Sequence, residues 1–192
     1  MFEVFQKYLS DKIAITQEEL DLVQSLSFLK KLRKRQYLLQ EGDVWKYHAF
    51  VCKGCLRTYR TDEKGQDHIM QFSIENWWAG DLESLRSGLP AKSAIEALED
   101  AEVLLFTKEN FDIIQQRIPA FKTMAEDILA RSFIVHQNRI HTAISYTAEE
   151  KYTNFINSYP QIFNRVPLHM IASYLGVTAE TLSRIRKQAA AK

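Results

Sequence analysis

The side chains best suited to reading a nucleic acid fall between Pro167 and Lys187, at helical spacing. The stretch from Pro167 to Arg186, with Gly176-Val177-Thr178 at its middle, reads as two short helices about a turn. Ile171, Ala172 and Leu175 share one face of the first helix, and Ala172 is small where the helices approach. Gly176 supplies a positive φ at the C-cap, Val177 plugs the turn, and Thr178 caps the second helix. With Leu182 and Ile185 turned inward, Glu180, Thr181, Ser183, Arg184 and Lys187 are left on the outside. A carboxylate there can accept from cytosine N4 and a guanidinium can donate to guanine, while hydroxyls and an ammonium suit phosphates. Helix pairs of this shape also occur in proteins that never touch DNA, so the shape alone leaves the function open.

Other chemistry is thin. Cys52-Lys53-Gly54-Cys55 has the spacing of a redox or metal motif. With Lys53-Gly54 as a two-residue hairpin turn, the two cysteines become cross-strand neighbours, ordinary strand residues. No second cysteine pair or histidine pair completes a zinc site, and no iron–sulfur cluster of cysteines is present. Trp77-Trp78 reads as core and pocket wall, and Lys30-Lys31-Leu32-Arg33-Lys34-Arg35 as a solvated strand or loop. No phosphate-binding loop, nucleophile elbow, zinc-protease motif or dinucleotide fingerprint occurs. The expectation is that the protein is not an enzyme and holds no metal.

The elements that must position these residues follow from composition and periodicity. The chain has 192 residues, 46% hydrophobic and 26% charged, enough for a proper core and too globular for disorder. Two cysteines exclude a disulfide-stapled scaffold and point to a reducing compartment. The Met1-Phe2-Glu3-Val4-Phe5 start lacks a signal-peptide pattern, and no apolar run is long enough for a membrane span, so a cytoplasmic protein with no membrane partner is expected. The net charge of +1 is uneven. Residues 1–146 carry 19 basic against 21 acidic side chains, and residues 147–192 carry 6 against 3, Lys192 among the basic ones. A small basic end on a mildly acidic body is a weak nucleic-acid signal.

Thr16-Gln17-Glu18-Glu19 fits a capping box, followed by Leu20, Val23 and Leu26 at helical spacing. From about Ser27 to 106, turn signals recur at the spacing of an antiparallel sandwich or barrel, with strands such as Tyr47–Cys52, Cys55–Tyr59 and His68–Ile74. After Lys108 the pattern is helical. Phe121, Met124, Ile128, Ser132, Val135, Arg139 and Ala143 form one stripe; Ala125, Leu129, Phe133, His136, Ile140 and Ile144 form a second beside it. So wide an apolar band asks for two partners, the β-domain and the same helix of a second subunit. Shorter helices are predicted over about 148–158, 168–175 and 179–188, ahead of the trailing Ala189-Ala190-Ala191.

Together these residues resemble the Crp/Fnr superfamily of bacterial transcription regulators. The resemblance rests on the turn at Gly42-Asp43, on Phe50-Val51-Cys52-Lys53-Gly54, Trp78-Ala79-Gly80-Asp81 and Ala97-Leu98-Glu99-Asp100, and most specifically on Ile171 to Arg186. It implies an α+β fold: a cyclic-nucleotide-binding-like antiparallel β-roll with N-terminal helices over 1–118, a long dimerisation helix over 119–146, and a helix–turn–helix domain over 147–192. It implies a homodimer on an inverted-repeat operator in double-stranded DNA, with RNA polymerase as a further partner. Phe121, Met124, Ile128, Phe133 and Val135 become the dimer helix, and Thr178, Glu180, Thr181, Ser183, Arg184 and Lys187 the DNA contacts, Glu180 and Arg184 reading bases. Ala179 stands where many members carry another base-reading side chain, and the usual C-terminal β-wing is expected to be absent.

The effector pocket implied by the family falls on Gly80, Asp81, Leu82, Glu83, Ser84, Lys92 and Ser93, with His136 and Gln137 at its base end. Members that bind cyclic AMP use Glu and Arg where Asp81 and Lys92 stand. Lysine keeps the charge but loses the fork that matches a phosphate, and Asp reaches one methylene less far. Cyclic AMP is therefore expected to bind weakly or not at all. The pocket is then empty, filled by Trp77, Trp78 or Lys92, or open to another small anionic effector. The rival reading is a ligand-binding or protein-interaction module that does not bind DNA.

Overall fold

The computed structural model describes residues 2–190, with side chains to Gln188; Met1, Ala191 and Lys192 lie outside the described residues, and of Ala189 and Ala190 only the backbone is described. Two short helices open the chain, α1 (Phe2–Ser10) and α2 (Gln17–Ser25). The capping box forms as expected: the Glu19 amide donates to Thr16 Oγ1 at 3.3 Å, and the Thr16 amide donates to the Glu19 carboxylate at 2.8 Å. Eight strands follow: β1 (Phe28–Leu32), β2 (Tyr37–Leu39), β3 (Tyr47–Lys53), β4 (Leu56–Thr61), β5 (Asp67–Ser73), β6 (Trp78–Ala79), β7 (Ala94–Ala97) and β8 (Ala101–Thr107). A short helix, α3 (Leu82–Ser87), separates β6 from β7. They build two four-stranded antiparallel sheets, ordered β1-β8-β3-β6 and β2-β7-β4-β5. Inward side chains such as Leu38, Trp45, Val51, Leu56, Ile95 and Leu105 fill the space between them. This is a two-sheet antiparallel roll within a mixed helical and sheet protein.

The turn at Lys53-Gly54 departs from the sequence reading. β3 and β4 enter different sheets, so the chain crosses over there instead of forming a hairpin. Cys52 and Cys55 consequently lie in separate apolar clusters, Cys52 with Phe5, Phe50 and Phe106, Cys55 with Phe72, Tyr59 and the C-terminal helices. Both are free, and burial pushes their thiols up, to about 11 for Cys52 and about 12 for Cys55. Gly54 has φ +99°, and a Cβ there would stand 2.6 Å from Cβ and 2.7 Å from Cα of Ala101 at the start of β8. We expect Gly54→Ala to cost about 1–3 kcal/mol of stability, read as a lower denaturation midpoint. Unchanged stability would mean the crossover is looser than described.

Beyond the roll come α4 (Lys108–Arg117) and the long helix α5 (Pro119–Ser145), separated at Ile118, with Pro119 in the first turn of α5. Then follow α6 (Ala148–Ser158), α7 (Pro160–Phe163), α8 (Leu168–Leu175) and α9 (Ala179–Ala190). α7 was not expected; Pro160 sits in its first turn and Ile162 is buried. One apolar cluster runs continuously from β4 and β5 (Tyr59, Ile69, Phe72) into these helices (Phe155, Ile171, Leu182). The C-terminal helices thus pack directly on the edge strand β5. Among the described residues no helix is long and apolar enough to cross a membrane.

Candidate nucleic-acid interface

α8 and α9 form the helix pair read from the sequence. Gly176 adopts φ +67° as the C-cap of α8, with its N–H and that of Val177 donating to carbonyls of the last turn. Thr178 Oγ1 accepts from the Thr181 amide at 3.2 Å, capping α9. Ile171, Ala172, Leu175, Leu182 and Ile185 are buried between the helices and the roll. Their burial fixes the rotation of α9. Thr178, Glu180, Arg184 and Lys187 are exposed, while Thr181 and Ser183 are half-buried. Glu180 and Arg184, four residues apart, stand on one face, and Lys187 extends it by a turn. No ion pair engages any of these three among the described residues, so that face is chemically free.

The residues assigned to dimerisation divide in two. Phe121 and Met124 are buried in the protomer's own cluster with Phe5, Phe111 and Ile114, and Ile128 packs partly against it. Val135 lines cavities on the inner side of α5. The first stripe is therefore spent within the protomer as far as Ile128, while Val135 beyond it is 49% exposed. The second is bare: Leu129 is 44% exposed, Phe133 63%, Ile140 60% and Ile144 81%. Positions 129, 133, 136 and 140 follow the period of a coiled-coil seam, and Ile144 lies one turn beyond.

The residues assigned to the effector pocket are mostly occupied with local structure. Asp81 Oδ1 accepts from the Ser84 amide at 2.9 Å and caps α3. Buried Ser84 accepts from the Trp45 amide at 2.9 Å and donates to the Leu89 carbonyl at 2.6 Å. Lys92 is exposed and pairs with Glu83 at 2.6 Å, and its ammonium holds that carboxyl below its ordinary value. Ser93 is buried and accepts from Arg60 Nε at 3.2 Å. Neither Lys92 nor the paired tryptophans fill the Gly80 turn. Trp78 packs with Phe5, Phe50 and Phe111, Trp77 against Tyr159. Trp45 stands there instead, its Nε1 2.8 Å from where a Gly80 Cβ would lie, a contact across 35 residues that local pattern does not reveal. His136 bonds the Ser132 carbonyl at 2.7 Å and, with Gln137, is exposed on α5.

Comparison with known proteins gives consistent results. The profile of the cyclic nucleotide-binding domain family matches residues 29–117. The chain is 24% identical over 170 residues to the transcriptional activator protein Anr of Pseudomonas protegens, covering 81% of this chain and 68% of that protein. It is 27% identical over 186 residues to the fumarate and nitrate reduction regulatory protein of Salmonella typhi, covering 89% and 72%. Among solved structures, FixK2 from Bradyrhizobium japonicum superposes with a TM-score of 0.73 at 21% identity, covering 84% of this chain and 83% of that one. The catabolite activator protein of Thermus thermophilus gives 0.58 at 21% identity, covering 92% and 84%.

Proposed function

We propose that the chain is a transcription regulator of the Crp/Fnr type that acts as a homodimer and reads an inverted repeat in duplex DNA, a reading supported by its likeness to Anr and to the fumarate and nitrate reduction regulatory protein. The observation that carries this reading is the free face of α9. Glu180, Arg184 and Lys187 point outward from a helix whose opposite face is locked by Leu182 and Ile185. In the major groove Glu180 accepts from cytosine N4 and Arg184 donates to guanine, with Thr178, Thr181, Ser183 and Lys187 at the backbone. The bare stripe of α5 supports the dimer. Residues 1–118 then serve as the sensing roll, 119–146 as the dimer helix and 147–192 as the DNA-binding part. RNA polymerase is the next partner in this reading, and the cytoplasm the compartment.

The test is salt-dependent binding. Fluorescence anisotropy with a duplex should give an affinity that falls steeply with added salt, as phosphate contacts release counterions. No binding at low salt to any duplex would remove the reading and favour a protein-interaction module.

We further propose that the roll's nucleotide pocket is degenerate. Lys92 bonded outward to Glu83, and Asp81 held at the α3 cap, support this. Losing a bidentate, charge-assisted contact costs about 1–3 kcal/mol, roughly ten- to a hundredfold in affinity. Calorimetric titration with cyclic AMP should show no micromolar binding, and an Asp81→Glu, Lys92→Arg double variant should gain it. Micromolar binding by the unchanged protein contradicts the proposal.

A further inference from the structure

Two adjoining cavities, of about 600 and about 340 Å³, open between the inner face of α5, strand β5 and the C-terminal helices. They share Met70, Val135, Arg139, Phe155, Tyr159 and Tyr174 as common walls. Among the described residues no Asp or Glu lines either one. The basic side chains there are Arg131, Arg139, Lys151, His68, His136 and His141, and among the described residues only His68 has an acidic partner, Asp62 at 2.9 Å.

Arg139 is at the centre. Its guanidinium donates to the carbonyls of Ile69 and Met70 on β5 and of Tyr174 on α8, and lies 4.0 Å from the centre of the Tyr174 ring. All its acceptors are neutral, so a half-buried positive charge joins roll, long helix and helix–turn–helix with no counter-ion. Burial pulls its pKa below the ordinary value for arginine and pushes that of the Tyr174 phenol up to about 12. A desolvated cation without an acid favours any anion that can reach it. The smaller cavity is walled by Tyr8, Phe72, Trp77, Trp78 and Tyr159. The buried indole N–H of Trp78 on that wall interacts with the Tyr8 phenol without forming a well-aligned hydrogen bond. The volume lies within the range of small-ligand sites, about 300–1,000 Å³.

We infer that this cleft, and not the turn around Gly80, binds a small carboxylate with an aromatic body. The ring lies among the aromatic walls of the smaller cavity, and the carboxylate takes the Arg139 fork with Arg131 beside it. A flat two-oxygen anion matches a guanidinium geometrically, whereas the apolar wall offers little to a sugar. Because the fork now holds β5 and α8 together, the bound carboxylate draws it off their carbonyls. Between β5 and α8 the polar clasp that then remains is Ser173 Oγ, which accepts from the Ile69 amide at 3.0 Å and donates to the Asp67 carbonyl at 2.9 Å, while Arg165 still ties the C-terminal helices to Glu75 and Glu99 of the roll. Occupancy therefore loosens the seat of the helix–turn–helix on the roll. The site stands on its own geometry and does not depend on DNA binding.

The probe pair is naphthalene-2-carboxylate and its neutral amide, naphthalene-2-carboxamide, followed by tryptophan fluorescence and hydrogen exchange on the full chain. The carboxylate should bind at least tenfold more tightly than the amide and should speed exchange at the Ile69 amide. Arg139→Gln should abolish the preference, Arg131→Gln, at an exposed position, should reduce it several-fold, and Ser132→Phe should block binding by filling the smaller cavity. If Arg139→Gln does not fold, the other two variants decide. Equal affinity for the two probes, or a preference that survives Arg131→Gln and Ser132→Phe unchanged, overturns the inference.

Discussion

A Phe133→Glu variant is expected to sediment as a monomer at micromolar concentration and to lose DNA affinity by on the order of a hundredfold or more. Phe133 lies at the middle of the bare stripe, 63% exposed in the protomer, with Leu129 one turn before and Ile140 two turns after. In the proposed dimer a second copy of α5 covers that stripe, and a carboxylate in the seam is left without water or partner. Folding of the protomer should survive, because the inner stripe, with Phe121 and Met124, is untouched. The loss on DNA follows from linkage. Two half-sites bound by one dimer share a single association cost, and separate monomers do not. Val135→Glu probes the seam and the cleft together, since Val135 is 49% exposed and also lines the cavities beside α5. A wild-type protein that is monomeric, or a Phe133→Glu dimer, contradicts this assignment of the helix.

Arg184→Ala is expected to cost about 1–3 kcal/mol on the preferred site, ten- to a hundredfold, and to relax the sequence preference at one base pair of each half-site. Arg184 is exposed on α9, four residues from Glu180, and neighbouring Leu182 and Ile185 carry the packing. The substitution should leave the thermal midpoint nearly unchanged. Lys187→Ala should behave differently. It should weaken all sequences alike and flatten the salt dependence by about one counterion, as a phosphate contact does. The contrast separates base reading from simple charge, which a general loss of basic character at the C-terminus would not.

Local signals in the sequence translated well into structure. Thr16 with Glu19, Gly176 with Thr178, and the inward set Ile171, Leu175, Leu182 and Ile185 each depend on neighbours within a few residues, where the chain's own geometry decides. The two stripes of α5 were visible as a band too wide for one partner, although which stripe faced inward was not. Periodicity gives the angle between stripes and says nothing about which one meets the roll. Lys53-Gly54 had a hairpin's residues, yet β3 and β4 went to different sheets because their inward faces pack across the roll. Ser173 and Arg139 could not have been singled out. Their partners on β5 lie 104 and 70 residues away in sequence, and nothing in either residue type signals a backbone carbonyl on a distant edge strand. The engagement of Lys92 with Glu83 across nine residues likewise depends on the fold.

The most direct measurement is selection of bound sites from random duplexes, run in parallel with the unchanged protein and with Arg184→Ala. The unchanged protein should enrich an inverted repeat whose half-sites are about one helical turn apart, with a fixed G·C pair in each. Arg184→Ala should enrich the same repeat with that position open. Recovery of no common sequence by the unchanged protein, or an identical sequence preference from both proteins, contradicts the assignment of α9 as the reading helix.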